Sequence, residues 1–168
     1  MRGVLPWVAA LLVVVVDRLT KAMIIARIDP GSWVELVPGV ALTHINNRGI
    51  AFSLFAGGGP LTRMVLHLVI FTSVVIIAAM VVRHGHHSRL AGLAFGLILG
   101  GAVGNLIDRV LYGAVIDFIH LSARFWGRVW SWPDFNVADA SITVGALLLI
   151  ANEFRTSRST EDDASDPD

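Results

Sequence analysis

Cysteine is absent from the 168 residues, and that absence removes disulfide bridges, thiolate nucleophiles and cysteine-based metal sites together. Lysine is nearly absent as well, since Lys21 is the only one. Basic and acidic side chains balance at 13 each, which leaves no cationic excess of the kind that suits nucleic acid. A small-x-small cleavage site is missing after the first apolar run; the polar residues Asp17, Arg18, Thr20 and Lys21 stand there instead. The run that follows Arg2 is therefore expected to remain as a membrane span rather than leave as a signal peptide.

What the chain has in quantity is apolar surface. Hydrophobic residues make up 55% of it, with a mean hydropathy of +0.69, too apolar for an ordinary soluble domain of this size. The apolar residues fall in runs over 4–16, 64–82, 90–104 and 137–151. A bilayer core needs roughly 20 residues of helix, which predicts four spans near 4–26, 62–82, 90–110 and 138–155. They form one membrane-embedded domain over 1–155. The polar end, 156–168, reads as a disordered cytoplasmic tail.

Two long connectors share one side of such a bundle. The first, 27–60, carries turn signals at Pro30-Gly31 and Pro38-Gly39, and its interior alternates as short strands lying over the membrane would. The second, 111–136, holds Phe118, Phe125, Trp126, Trp130, Trp132 and Phe135, the aromatic density of a membrane–water interface. Arginine counts tie between the two sides; the greater weight of short loops places both termini in the cytoplasm. Gly92, Gly96, Gly100 and Gly104 recur every fourth residue, with Gly101 beside them, a stripe for close helix packing that could also let a substrate chain approach the backbone.

Charges inside the apolar runs call for a reason, because each costs about 2.5–3.5 kcal/mol at the bilayer centre. Asp17, Lys21, Asp108, Arg109, Asp117 and Asp139 all fall towards the long-connector side by span order. Asp17 and Lys21 stand i, i+4, as a helix-end ion pair with a lysine snorkelling to the interface would. Lys21 could also serve a Ser–Lys dyad with Ser53 or Ser141, but neither serine has an elbow-like context. Asn105 and Arg109 are likewise i, i+4, and the guanidinium could hold a carboxylate, a carbonyl or a phosphate. His84, His86 and His87 cluster in a short loop on the far side, and His44, His67 and His120 are scattered, so no metal site is expected. Two aspartates in one membrane pocket can share a proton and act as base and acid on a peptide bond. Asp117 and Asp139, at the two ends of the second connector, suit that use best. The residues alone leave two activities open, an aspartyl hydrolase and a small proton-coupled transporter relaying protons through carboxylates such as Asp108 with Arg109.

In order along the chain stand Asp17-Arg18-Leu19-Thr20-Lys21, Asn47-Arg48-Gly49-Ile50-Ala51-Phe52, the segment from Gly101 through Gly104 and Asn105 to Asp108-Arg109, Val115-Ile116-Asp117-Phe118, and Phe135-Asn136-Val137-Ala138-Asp139. Together these blocks resemble the lipoprotein signal peptidase (signal peptidase II) family. The resemblance implies an aspartyl endopeptidase of the bacterial inner membrane, working without metal or cofactor as a monomer among membrane lipids. It would cut signal peptides from prolipoproteins whose lipobox cysteine carries a diacylglyceryl thioether, and globomycin would occupy its site. Catalysis would fall to Asp117 and Asp139, and substrate binding to Asn47, Asn105, Arg109 and Asn136. Supporting roles would fall to Asp17, Lys21, Gly49, Gly101, Gly104, Asp108, Val115 and Ala138. The implied fold is an all-α membrane protein of four transmembrane helices. To these the family would add a small extracytoplasmic β cradle from the first connector and a mobile periplasmic flap or helix over 118–136. The aromatic second connector departs from many relatives, which bears on the flap and not on the aspartates.

Overall fold

The computed structural model describes residues 3–49, 59–85 and 88–164. Helix α1, Leu5–Arg27, is followed by strands β1, Trp33–Val37, and β2, Val40–Asn47. Helices α2, Pro60–His84, and α3, Arg89–Tyr112, come next, then β3, Val115–Phe125, β4, Arg128–Phe135, and α4, Val137–Ala164. The helices lie close to the four apolar runs. Their ends follow local chemistry: Ser88 caps α3 by accepting from the Ala91 N–H at 2.9 Å, and Gly113 closes the same helix in the left-handed region at φ 68°. Helix α4 continues to Ala164, into the segment where a disordered tail is expected from 156. That segment holds no helix-breaking residue before Pro167.

Among the described residues, three helical stretches are long and apolar enough to cross a membrane: His67–His84 of α2, Arg89–Tyr112, and Val137–Arg155 of α4. Helix α1 has the length, about 34 Å at 1.5 Å per residue, but its second half carries Asp17, Arg18 and Lys21. The packing is inverted relative to a water-soluble domain. Leu11, Leu12, Leu68 and Leu147 are exposed, whereas Asp17, Lys21 and Asp108 are wholly buried.

Helix α3 packs against each of the other three helices. Its glycine stripe makes this possible. A Cβ on Gly100 would lie 2.6 Å from the Ala10 carbonyl oxygen and 2.7 Å from Val13 Cβ of α1. On the neighbouring face, a Cβ on Gly101 would lie 2.4 Å from the Ala138 carbonyl oxygen of α4. The bare backbone thus sets the separation of α1, α3 and α4. Ala10, Val81, Ala91, Phe95 and Leu99 fill the rest of that core.

Beside the four helices stands the expected small sheet, and it is larger than the first connector alone would make it. Residues 118–136, read as a flap or helix, contain no helix. Strands β3 and β4 make a hairpin that joins the first connector in one antiparallel sheet of order β1-β2-β3-β4. The physical reasons are local. Trp126 at φ 47° and Gly127 at φ 74° supply the paired positive φ of a two-residue hairpin turn. Ile116 and Phe118 bury against Ile24 of α1 and Ile28 just beyond its end, with Leu42 and Ile119 packed alongside. Pairing with β2 meanwhile satisfies backbone groups that a loose flap would leave to solvent. The register sets Ile45 opposite Asp117 and Asn47 opposite Val115.

The glycine contacts yield a stability test. Gly100→Val places atoms within van der Waals distance of α1 and is expected to cost at least about 1–3 kcal/mol as overpacking. Gly59→Ala, where no described residue lies within 4 Å of the added Cβ, should cost no more than about 1 kcal/mol, the scale of a helix N-cap change. Thermal unfolding of both variants in detergent checks the pair.

Candidate active site

One turn of α1 brings Asp17 and Lys21 onto the same face, and that face turns inward. The Lys21 ammonium lies 2.9 Å from Asp17 Oδ2 and 2.6 Å from Asp108 Oδ2, and donates to Asn105 Oδ1 at 3.2 Å. Asp17 Oδ1 accepts the Ala138 N–H at 3.1 Å, and Asp108 Oδ2 accepts the Ile116 N–H at 3.2 Å. Arg18 pairs with the other oxygen of Asp108 and stands over the Tyr112 ring. One expectation changes here. Lys21 does not snorkel to the interface but is wholly buried, because two carboxylates and a carboxamide replace the water it gives up. Asp108 is held by Lys21 and Arg18.

In front of this network a cavity of about 270 Å³ opens. Asp117 and Asp139 both line it, with Asn47, Asn105, Arg109 and Val115. Asp117 arrives on β3, and its two oxygens accept from Asn47 Nδ2 at 3.0 Å and Asn136 Nδ2 at 2.8 Å. Asp139 arrives in the first turn of α4. Its Oδ1 accepts from Asn105 Nδ2 at 2.8 Å. Asn136 and Asp139 cap each other: the Asp139 N–H donates to Asn136 Oδ1 at 3.0 Å, and the Asn136 N–H donates to Asp139 Oδ2 at 3.2 Å.

The arrangement holds the two carboxyls differently. Burial pushes the Asp117 carboxyl up to about 7, and the nearby Asp139 charge adds to that, while the Asn47 and Asn136 hydrogen bonds and the Lys21 charge oppose it. A pocket carrying a protonated acid beside a second carboxyl can supply acid and base in one step. Arg109 donates to the Gly49 carbonyl at 3.0 Å and the Asn105 carbonyl at 3.3 Å, which fixes its guanidinium at the cavity wall.

Most of the residues singled out in the sequence therefore converge on one place. Asn136 is wholly buried behind the cavity and bridges the two aspartates. Asp17, Lys21 and Asp108 form the layer beneath, and Gly49 contributes its backbone. A Cβ on Gly104 would lie 2.8 Å from Asp17 Oδ2, and buried Ala138 faces Gly101. Sequence reading missed the β4 wall of Trp132, Pro133, Asp134 and Phe135, and the α4 residues Ile142 and Thr143. Helical spacing could have found the last two, which stand i+3 and i+4 from Asp139. It also missed Arg18 as the second partner of Asp108.

The other candidates do not join this site. Ser141 donates to the Val137 carbonyl at 2.8 Å, away from Lys21. His44 bonds the Ile28 carbonyl at 2.7 Å, and His120 bonds Asp134 at 2.6 Å. Ile50, Ala51, Phe52, Ser53, His86 and His87 lie outside the described residues. Among the described residues, no three His, Asp or Glu side chains converge as ligands to a metal ion would.

Comparison with known proteins points the same way. Residues 9–155 match the model of a family described as signal peptidase (SPase) II. Lipoprotein signal peptidases of Burkholderia thailandensis and Burkholderia mallei are each 43% identical over 154 residues, covering 91% of this chain and 90% of the relative. That of Paraburkholderia phymatum is 40% identical over the same span. Two solved structures, both described as bacterial membrane enzymes obtained by the in meso method, superpose with TM-scores of 0.77 and 0.73. Their identities are 27% and 29%; they cover 90% and 88% of this chain, and the matches span 88% and 90% of theirs.

The buried network makes a prediction separate from any chemistry. Asp108→Ala leaves Lys21 and Arg18 short of a counter-ion, and breaking a buried pair in this way costs about 3–5 kcal/mol. The thermal midpoint in detergent should fall sharply, and an unchanged midpoint would contradict the role given to Asp108.

Proposed function

The chain belongs to the signal peptidase II family, lipoprotein-processing proteases of the bacterial inner membrane, and from that premise we propose that Asp117 and Asp139 are its catalytic dyad. The observation that carries the reading is one cavity lined by both carboxyls, with Asn47, Asn105 and Arg109 around them. The substrate is a prolipoprotein whose lipobox cysteine bears a diacylglyceryl thioether, and the bond cut is the one that precedes this cysteine.

Burial favours the proton on Asp117, which leaves Asp139 to act as the base. A water between them gives a proton to Asp139 as its oxygen attacks the scissile carbonyl carbon. Arg109 and Asn105 stabilise the charge that develops on the carbonyl oxygen. Collapse of the tetrahedral intermediate breaks the C–N bond. The cysteine nitrogen leaves with a proton from Asp117, and the signal peptide keeps the new carboxylate. Carboxyls and water suffice, which suits a chain without cysteine.

The topology follows from the same network. Helix α1 is read as the fourth span because Asp17 and Lys21 neutralise each other with no exposure. The sheet and cavity then face the extracytoplasmic side and both termini the cytoplasm. Residues 1–155 act as a single monomeric unit in lipid, and the polar tail 156–168 stays outside the membrane. Asp108, the carboxylate a transporter would use, is tied to Lys21, Arg18 and the Ile116 N–H, and nothing favours transport.

Two measurements test the reading. Asp117→Asn and Asp139→Asn should each insert in the membrane yet process diacylglyceryl-modified precursor at least about 100-fold more slowly than the parent. A mobility-shift assay, with an unmodified-cysteine precursor as control, reads this out, and full activity in either variant would end the proposal. The parent's turnover should also decline as pH rises through about 7, because ionisation of Asp117 removes the acid that protonates the leaving nitrogen. Turnover that stays level or rises through that region would show that a protonated Asp117 is not required.

A further inference from the structure

Lys21 lies outside the cavity, and the chemistry above makes no use of it. It is nonetheless the largest of the wholly buried side chains. An ammonium has three donors and no acceptor, and here it has three partners: ion pairs with Asp17 Oδ2 and Asp108 Oδ2, and a hydrogen bond to Asn105 Oδ1. Asp17 and Asp108 lead to backbone beside the dyad, at Ala138 and Ile116, and neither bonds a dyad carboxyl. The third leads to the dyad.

A carboxamide has an acceptor end and a donor end, and a half-turn exchanges them. Asn105 Oδ1 receives both Lys21 Nζ at 3.2 Å and Asn136 Nδ2 at 3.3 Å, while Nδ2 donates to Asp139 at 2.8 Å. In the flipped orientation, Nδ2 would face two donors and Oδ1 would face a carboxylate. Both ends would lose their bonds inside a buried site, where unpaired polar groups are costly. Lys21 cannot accommodate a flip, because it can never accept.

We propose that Lys21 is a positioning residue for peptide hydrolysis: seated between Asp17 and Asp108, it locks the Asn105 carboxamide with its NH2 group on Asp139. It acts through Asn105 and touches no substrate. This rests on Asp117 and Asp139 being the dyad. The ammonium also places a positive charge behind the cavity, in a setting whose other charged groups are Arg109 and Asp108 from α3, Asp17 and Arg18 from α1, Asp134 from β4 and Asp139 from α4. That charge opposes the upward push on Asp117, so its removal should move the pH–rate profile towards alkaline pH.

The test uses the full-length protein in detergent with diacylglyceryl-modified precursor. Asp17→Asn/Lys21→Met removes one charge of each sign and leaves Asp108 paired with Arg18, so the ion balance survives. The expected result is a fall in kcat of about 100-fold, the scale of a misplaced catalytic group, with KM little changed and the profile shifted alkaline. Parental kcat and pH profile, beside an inactive Asp117→Asn control, would overturn the proposal while leaving the dyad intact. A rise in KM with kcat kept would overturn it too. An active Asp117→Asn would instead sink the dyad reading. Where the double variant does not fold, Lys21→Arg decides: a larger planar guanidinium cannot take the seat of a compact ammonium between Asp17 and Asp108 and keep its bond to Asn105, so kcat should fall with KM unchanged, and parental kcat would refute the lock.

Discussion

A single ammonium held between two carboxylates, with all three groups shut away from solvent, ties the main parts of this protein together. Lys21 draws Asp17 and Asp108 to one point, and each carboxylate then reaches a different element: Asp17 the first turn of α4 through the Ala138 N–H, Asp108 the start of β3 through the Ile116 N–H. The ends of α1, α3, α4 and β3 are thereby joined by one set of bonds. Charges buried so deeply are costly when separated, and that cost keeps the four ends together.

The two aspartates of the cavity depend on those same ends. Asp117 enters just after Ile116, and Asp139 follows directly on Ala138. The network therefore fixes the backbone on which each carboxyl stands, and Asn105 and Asn136 fix the carboxyls themselves. Preorganisation of this kind is what acid–base chemistry needs, since donors already in place cost no rearrangement when charge moves. Glycines contribute at a second level. Gly100 and Gly101 let α3 approach α1 and α4 closely, and Gly104 leaves room for the Asp17 carboxylate.

Lipid as solvent reconciles the exterior with the interior. Apolar side chains on the outer faces of the helices lose nothing in contact with lipid, whereas polar groups gain most by meeting one another inside. The sheet extends the same logic beyond the helices. Its inner residues, Ile116 and Phe118, cap the apolar end of α1, and its outer aromatic residues remain exposed.

Much of this was legible in the residues. The apolar runs marked the four helices because length and hydropathy are local properties. The order of charges marked their convergence because helices of similar length return to the same depth. The blocks around Asn47, Asn105, Asp117 and Asp139 marked the cavity. The sequence by itself thus determined which segments are helical and which polar residues need one another. Tertiary structure alone decided three things. Asp108 met Lys21 and Arg18, because the packing of α1 on α3 brought side chains about ninety residues apart within reach. The second connector became strands of a shared sheet, because its partner strand lies some seventy residues earlier in the chain, as the pairing of Asn47 with Val115 shows. Trp132 and Phe135 reached the cavity wall because pairing register, which no local pattern records, carried β4 across its mouth.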